Sequence, residues 1–529
     1  MAYYLTALAT SLVSLLLLAG FVAILSSCLQ LWALPRTISV LGARDNSLLS
    51  RTAAYLAAWP SYHSSRAAAY AEFSRLGKPF ISPSPSLGPD IVVPPQHVKW
   101  LLSQPSSVLA QRPALWEGMA IRYMFPSADP AAEFVPALVK RHMSPAGVDG
   151  MQADMYRELQ RWTDAGLGTD KERWAEVALF DTLGTIMKHV GQRLYFGAEL
   201  GSSDELGRVL QKLANWSGLG GLVIGQFSPA VFRRPLGWLF RIPLGYYTRA
   251  FKRIWEPAVR TQLEAGRLSG VGSATAGAVE ALAGTKRHTV ESISSNFMIM
   301  YGVASNVKQP GTLALLLNLI TQRGAEARAF LPLLRHEVDT VFSQPTAWTD
   351  ITTFTSKTLP LTTAFARESM RYSPLAASIP LRAVVAPGGV LLPDGITHVP
   401  RGARLACPAE AMTRDERFVP RPHVFDPFRF LEADDDDDEG GRRYRLKADS
   451  DIADVSESFL FFGFGRHACP GRFFMARLMM MLLAYVVKHY DFEPVSNDAP
   501  VPIRAGFVNL PPLGTRVRFR RRKGVYLAS

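Results

Sequence analysis

Residues Phe461 to Gly471 read FFGFGRHACPG. One cysteine, Cys469, sits there among glycines, behind a cluster of aromatic side chains. A thiolate can act as a nucleophile, a redox centre or a metal ligand. Nucleophilic attack needs a base that the fold aims at the sulfur, and His467, two residues away, is too near in sequence to be so aimed. Dithiol exchange needs a C-x-x-C pair, which the chain lacks. The glycine spacing does not match G-x-x-x-x-G-K-[ST], so a phosphate cradle is a weak reading.

What remains is a single soft anionic ligand for a metal that something else already holds. Haem iron is such a case, because the porphyrin supplies four nitrogens and the protein adds one axial sulfur. Glycines let backbone N–H groups point at that sulfur and tune its electron donation. They also let the loop pass close to a flat macrocycle. Phe462 can shield the ligand from water, and a basic residue just before the cysteine can meet a propionate.

The loop resembles the haem-binding loop of cytochrome P450 enzymes, Phe-x-x-Gly-x-x-x-Cys-x-Gly, through Phe462, Gly465, Cys469 and Gly471. His467 takes the basic position, more often arginine in the family. Upstream, FARESMRYSP offers Glu368 and Arg371, one helical step of three apart and so on one face. Glu158–Arg161, Glu205–Arg208, Glu264–Arg267 and Glu439–Arg442 share that spacing; position and the following Pro374 single out the first pair. FDPFRF then resembles the family's meander element through Phe425, Pro427, Arg429 and Phe430. The resemblance runs from about Ser64 to the C-terminus, is strongest after Leu359, and is nearest to fungal microsomal members.

This resemblance implies a mainly α fold with small β-sheets, haem b as cofactor, and Cys469 as its axial iron ligand. It implies a structural network of Glu368, Arg371 and Arg429, and a propionate contact from Arg382, with Lys140 or Arg141 as another. It places substrate against Met300–Ser305, Ala376–Ile379 and Phe507–Leu510. It further implies a monooxygenase that takes electrons from an NADPH–cytochrome P450 reductase.

One departure bears on chemistry. The family's central helix usually carries an acid–threonine pair that helps to protonate bound oxygen. Here the best register puts Gly302 on the glycine, Ala304 on the acid and Ser305 on the threonine. Ser305 keeps a hydroxyl, Ala304 carries no proton, and Asn306 is the next polar residue. The helix loosely resembles the group of sterol hydroxylases and prostacyclin synthase, in which the pair is also lost and a proline follows, here Pro310. The main expectation is monooxygenation with Ser305 or Asn306 and water in the proton path. The rival is a haem-thiolate isomerase that uses no oxygen. A haem sensor would need a sixth ligand, for which Met298 and Met300 are the only side chains on this helix.

The elements that must position these residues follow from the rest of the 529-residue chain. Between Ala2 and Pro35 there is no charged residue. About 20 apolar residues span a bilayer as a helix, so 1–35 is expected to be a retained anchor. Arg36, Arg44 and Arg51 then place the remainder on the cytosolic side, at the endoplasmic reticulum membrane by resemblance. Residues 36–63 are expected to be a linker and 64–529 the catalytic domain. Helical patterns dominate from Ala131 to Lys357, including RWAEVALFDTLGTIMKHVGQRLY, and strands return from Ser378 to Ala411. The acidic run Asp434–Asp438 reads as a solvated loop. The basic tail RVRFRRRK reads as a solvated strand end.

Cys28 and Cys407 read as small buried hydrophobes. A net charge of +13 without a zinc-finger or RNP-like motif leaves nucleic acid aside. An apolar pocket and a membrane address suit a lipophilic substrate, such as a terpenoid, sterol or other specialised metabolite.

Overall fold

The computed structural model describes residues 2–523 except 85, 87, 126–137, 140, 141, 266–271, 285–288, 323, 435–442 and 497–500. Lys140, Arg141 and most of the acidic run therefore lie outside the described residues. The longer helices that bear on the site are α1 (Ala2–Trp32), α2 (Leu48–Ala58), α3 (Gln152–Leu167), α4 (Leu179–Gly201), α5 (Asp204–Gly220), α6 (Ala230–Ala265), α7 (Val290–Thr321), α8 (Gly324–Val341), α9 (Pro360–Tyr372) and α10 (Arg472–His489). The protein is mostly helical with small sheets, as expected.

The main sheet contains β1 (Ser39–Val40), β2 (Phe80–Ser82), β3 (Asp90–Val92), β4 (Leu109–Ala110), β6 (Leu381–Val384) and β7 (Arg404–Ala406), in the order β1-β2-β3-β7-β6-β4. β3 runs parallel to β7 with Ile91 opposite Leu405, and β6 runs antiparallel to β7 with Arg382 opposite Leu405. A second sheet joins β5 (Ala175–Ala178) to β8 (Tyr490–Pro494) through β11 (Arg516–Arg521). A hairpin pairs β9 (Ile503–Ala505) with β10 (Val508–Leu510).

Two results differ from the sequence reading. Ala175–Ala178 was expected to be helical but pairs with the distant C-terminal strand β11, a tertiary choice that local pattern does not encode. The basic tail forms that strand, a strand end as expected, with Arg516 and Arg518 exposed. It carries paired arginines rather than free ones: Arg516 meets Glu176, Arg518 meets Glu493, Arg520 meets Asp491, and buried Arg521 meets Asp164. The stretch 36–63 is also folded, since β1 pairs with β2 and α2 buries Arg51, Tyr55 and Ala58.

The expected anchor falls partly outside the described residues. α1 is 31 residues long, but the side chains of its first turns are not described. Among the described residues no helix is long and apolar enough to cross a membrane.

The core explains why α10 sits at the centre. Met481 to Val487 are wholly buried. A helix apolar on every side must be surrounded, and each such large side chain contributes roughly 1.5–3 kcal/mol by burial. α9 is positioned at its start by Glu337 of α8, whose carboxylate accepts from Leu361 N at 2.7 Å and Thr362 N at 2.8 Å. That is a cap supplied from a neighbouring helix. α7 opens on a capping box between Thr289 and Ser292. Cys28 and Cys407 are buried and free.

Candidate active site

The cysteine loop is shaped by its own backbone. Cys469 N donates to Phe462 O at 2.7 Å, Ala468 N to Gly465 O at 3.1 Å, and Gly463 N to Leu460 O at 2.9 Å. Gly463 and Gly465 adopt φ of 72° and 67°, the left-handed region that only glycine enters without strain. The loop ends at Gly471, the N-cap of α10, so the sulfur lies close to the positive end of that helix. Burial raises the Cys469 pKa, while the Gly471 N–H and the Arg472 guanidinium pull it down. The Gly471 N–H as a donor and Arg472 through its charge favour the anionic form, and both come from residues just after the cysteine.

Phe462 is buried beside the loop and meets Phe461 edge to face at 5.0 Å. His467 lies with Nε2 3.4 Å from Ser106 Oγ. An added Cβ at Gly471 would stand 4.0 Å from Met143 and Val139, so the segment around Met143 crosses close to the loop. Tyr195 of α4 is raised in pKa chiefly by burial, then by Tyr301 and by Cys469.

Upstream, α9 brings Glu368, Arg371 and Arg429 together. Arg371 holds Glu368 through Nε and Nη2, both at 2.7 Å, and Arg429 Nε reaches the same carboxylate at 3.1 Å. Glu368 also accepts from Asp426 N at 2.8 Å. The two arginines satisfy their other donors on carbonyls of Thr413, Pro420, Pro422 and Val424. Every member of this buried network is matched, the condition under which buried charge is tolerated.

Sequence reading missed Arg367, next to Glu368. Its guanidinium lies over the Phe459 ring at 3.6 Å and donates to Asp449, Asp451 and Asp454 carbonyls. It fixes the chain that leads into the cysteine loop. An arginine one residue from a recognised motif carries no periodic signal of its own.

Arg382 on β6 is 1% exposed. Its Nη1 donates to Leu381 O, and its Nη2 has no partner. Burial lowers its pKa to about 10. A buried cation with a free donor calls for an anion. The residues therefore fit a haem: a single soft thiol served by one N–H donor and one cation, and a buried unmatched guanidinium for a propionate. Among the described residues no group of three or more His, Cys, Asp or Glu could hold a metal ion by itself.

The central helix α7 shows where its polar residues go. Asn306 donates its amide to Gly302 O at 2.7 Å and Ala214 O at 3.2 Å. A Cβ at Gly302 would stand 2.8 Å from Ser217 Oγ. Both residues thus serve close packing against α5. The Ser305 hydroxyl is buried, with Tyr301 its polar neighbour one turn earlier. Lys308, unremarked in the sequence, lays its ammonium over Tyr195 at 5.1 Å and Tyr301 at 5.6 Å. Burial lowers its pKa to about 8.

Two of the expected substrate segments meet. Ala377 N donates to Phe507 O and Asn509 N to Leu375 O, both at 2.8 Å. A third apolar wall was missed by the sequence reading: Ile121 packs with Ile299, against Trp116, Met119 and Val303. Gly118 approaches Phe507 so closely that a Cβ would stand 2.8 Å from its ring.

Residues 311–519 match the family model for cytochrome P450. The chain is 28% identical to cytochrome P450 monooxygenase polB of Polytolypa hystricis, over 92% of this chain and 94% of that protein. It is 29% identical to cytochrome P450 monooxygenase fsoD of Humicola fuscoatra, over 92% and 93%. It is 26% identical to cytochrome P450 monooxygenase nodZ of Hypoxylon pulicicidum, over 87% of each chain. These matches support a cytochrome P450 family protein and an enzyme, a monooxygenase by the names of its relatives. That family implies a haem held by a cysteine thiolate.

Proposed function

We propose that the protein is a membrane-anchored haem-thiolate monooxygenase that oxidises a lipophilic small molecule of specialised metabolism, a terpenoid or sterol being the expected class. The observation that carries the reading is the placement of Cys469: a half-buried thiol at the start of α10, served by the Gly471 N–H and by the charge of Arg472. When bound, the haem supplies oxygen activation, and the cofactor rather than the protein performs that chemistry. The chain's own residues do the rest. Cys469 ligates, Gly471 and Arg472 set how much charge its sulfur keeps, Phe462 shields it, and Arg382 neutralises a propionate. His467, linked to Ser106, stands at the rim of the same loop, and Gly465 turns it. Glu368, Arg371 and Arg429 hold the frame.

Proton delivery falls to Ser305 and water, since Asn306 is committed to α5 and residue 304 is alanine. The relatives' names favour oxygen use over isomerisation. In this reading substrate lies against Val303 and Phe507, beside the buried pair Ile121 and Ile299, an apolar set that suits a lipophilic ring system.

Membrane attachment is supported by two features. α1 carries no charge. α6 exposes Trp238, Leu239, Ile242 and Tyr246 within a stretch, Leu206–Trp255, that holds eight Lys or Arg and no acid; apolar side chains with cationic flanks suit an anionic bilayer surface. An NADPH reductase would supply electrons, since the chain has no flavin or nicotinamide motif. The test is turnover with reductase, NADPH and isotopically labelled dioxygen. Label in the product is expected. Product of unchanged composition without NADPH use would establish the isomerase instead.

A further inference from the structure

Arg51 stands apart from the active site, on α2. Its side chain is buried, 2% exposed, yet Nε, Nη1 and Nη2 all lack a hydrogen-bond partner. The charge that acts on it is a second cation: Arg36 lowers its pKa further, after burial. The nearest acid in sequence, Asp45, is already engaged, accepting from Ser47 N at 2.8 Å and Ser50-bound at its own backbone. A buried guanidinium with three unmatched nitrogens beside another cation is costly unless an anion joins it. The planar fork of donors matches two oxygens of a tetrahedral oxyanion.

The place of this pair is specific. Trp32, the last residue of α1, donates Nε1 to Thr52 Oγ1 at 2.8 Å, and Thr52 follows Arg51 in α2. Tyr55, one turn on, meets Ser27 of α1. Leu31, Leu34 and Ile38 are buried around the same junction. The two arginines therefore sit at the foot of α1, with Arg36 exposed and Arg51 enclosed.

We propose that Arg51 and Arg36 form a binding site for a phosphate group, supplied by the headgroup of an anionic phospholipid. The phosphate assignment stands on the arginines alone. The lipid source rests on reading α1 as the membrane anchor, whose end would bring these residues to headgroup depth.

The experiment uses the full-length protein in a neutral detergent. Thermal unfolding is followed with short-chain phosphatidic acid, short-chain phosphatidylcholine or inorganic phosphate. Phosphatidic acid is expected to raise Tm by roughly 2–4 °C, with a much smaller response to phosphatidylcholine. R51M and R36Q are each expected to abolish that rise. R51M alone is expected to keep or raise the basal Tm, because it removes an unmatched buried charge. An equal rise with inorganic phosphate at the same concentration would overturn the lipid source and, through its loss in R51M, leave free phosphate as the ligand. A rise that persists in R51M would overturn the site. Should R51M not fold, R36Q decides: its substitution is on the surface, and an undiminished response there overturns the proposal.

Discussion

Arg371 grips Glu368 with two parallel hydrogen bonds of 2.7 Å, one turn apart on α9, and Arg429 reaches the same carboxylate from the meander. Glu368 is wholly buried and Arg371 nearly so. Removing one partner strands the other without water. Glu368→Gln and Arg371→Met are each expected to cost roughly 3–5 kcal/mol, with loss of folded, haem-loaded protein. Denaturant midpoints and haem content measured together check this; a normal midpoint in either variant would remove the network from the frame.

Arg382 should separate stability from cofactor retention. Its guanidinium is buried with one donor unmatched. Arg382→Leu is expected to leave the haem-free protein as stable as the parent or more so, by up to about 2 kcal/mol, while haem dissociates faster. Thermal melts of haem-free protein and haem transfer to an acceptor globin give the two numbers. Slower or unchanged haem loss would deny Arg382 the propionate.

Lys308 makes a pH prediction. Its folded pKa, about 8, lies below the ordinary lysine value of about 10.4. Between those values the unfolded chain binds more protons, so stability rises with pH there and the penalty is complete below pH 8. Lys308→Met should remove that rise and stabilise the protein at pH 7 by on the order of 1–3 kcal/mol. Melting curves from pH 7 to pH 10.5 on both proteins test it; parallel profiles would mean that the ammonium is not buried as drawn.

Much of the site was legible because its residues lie close in sequence. The cysteine loop, the Glu368–Arg371 step and the FDPFRF element each carry their geometry within a few positions, and Met479 to Met481 read correctly as core. What was illegible depends on distant partners. Ala175–Ala178 looks helical until a strand from the far end of the chain pairs with it. Asn306 looks like a proton donor until Ala214 of α5 takes its amide. Ile121 and Trp116 join the apolar wall only because a separate segment folds over α7, and Arg367 becomes visible only through the Phe459 ring that it covers. Residues 36–63 looked like a linker because strands of two residues have no detectable alternation.

The Gly471 N–H offers a finer probe of the sulfur. Gly471→Pro deletes a single donor; its ring asks for φ near −65°, a modest shift from the −91° of Gly471. With one hydrogen bond fewer the thiolate keeps more charge and donates more strongly. A more negative haem reduction potential is expected by spectroelectrochemical titration, at unchanged haem content. An unchanged potential would mean that this N–H does not touch the sulfur.

The most direct measurement is the carbon monoxide difference spectrum of the dithionite-reduced full-length protein, beside Cys469→Ala and Cys407→Ala. The account expects the red-shifted Soret band of thiolate-ligated haem in the parent and in Cys407→Ala, and its absence in Cys469→Ala. A red-shifted band surviving in Cys469→Ala would contradict it.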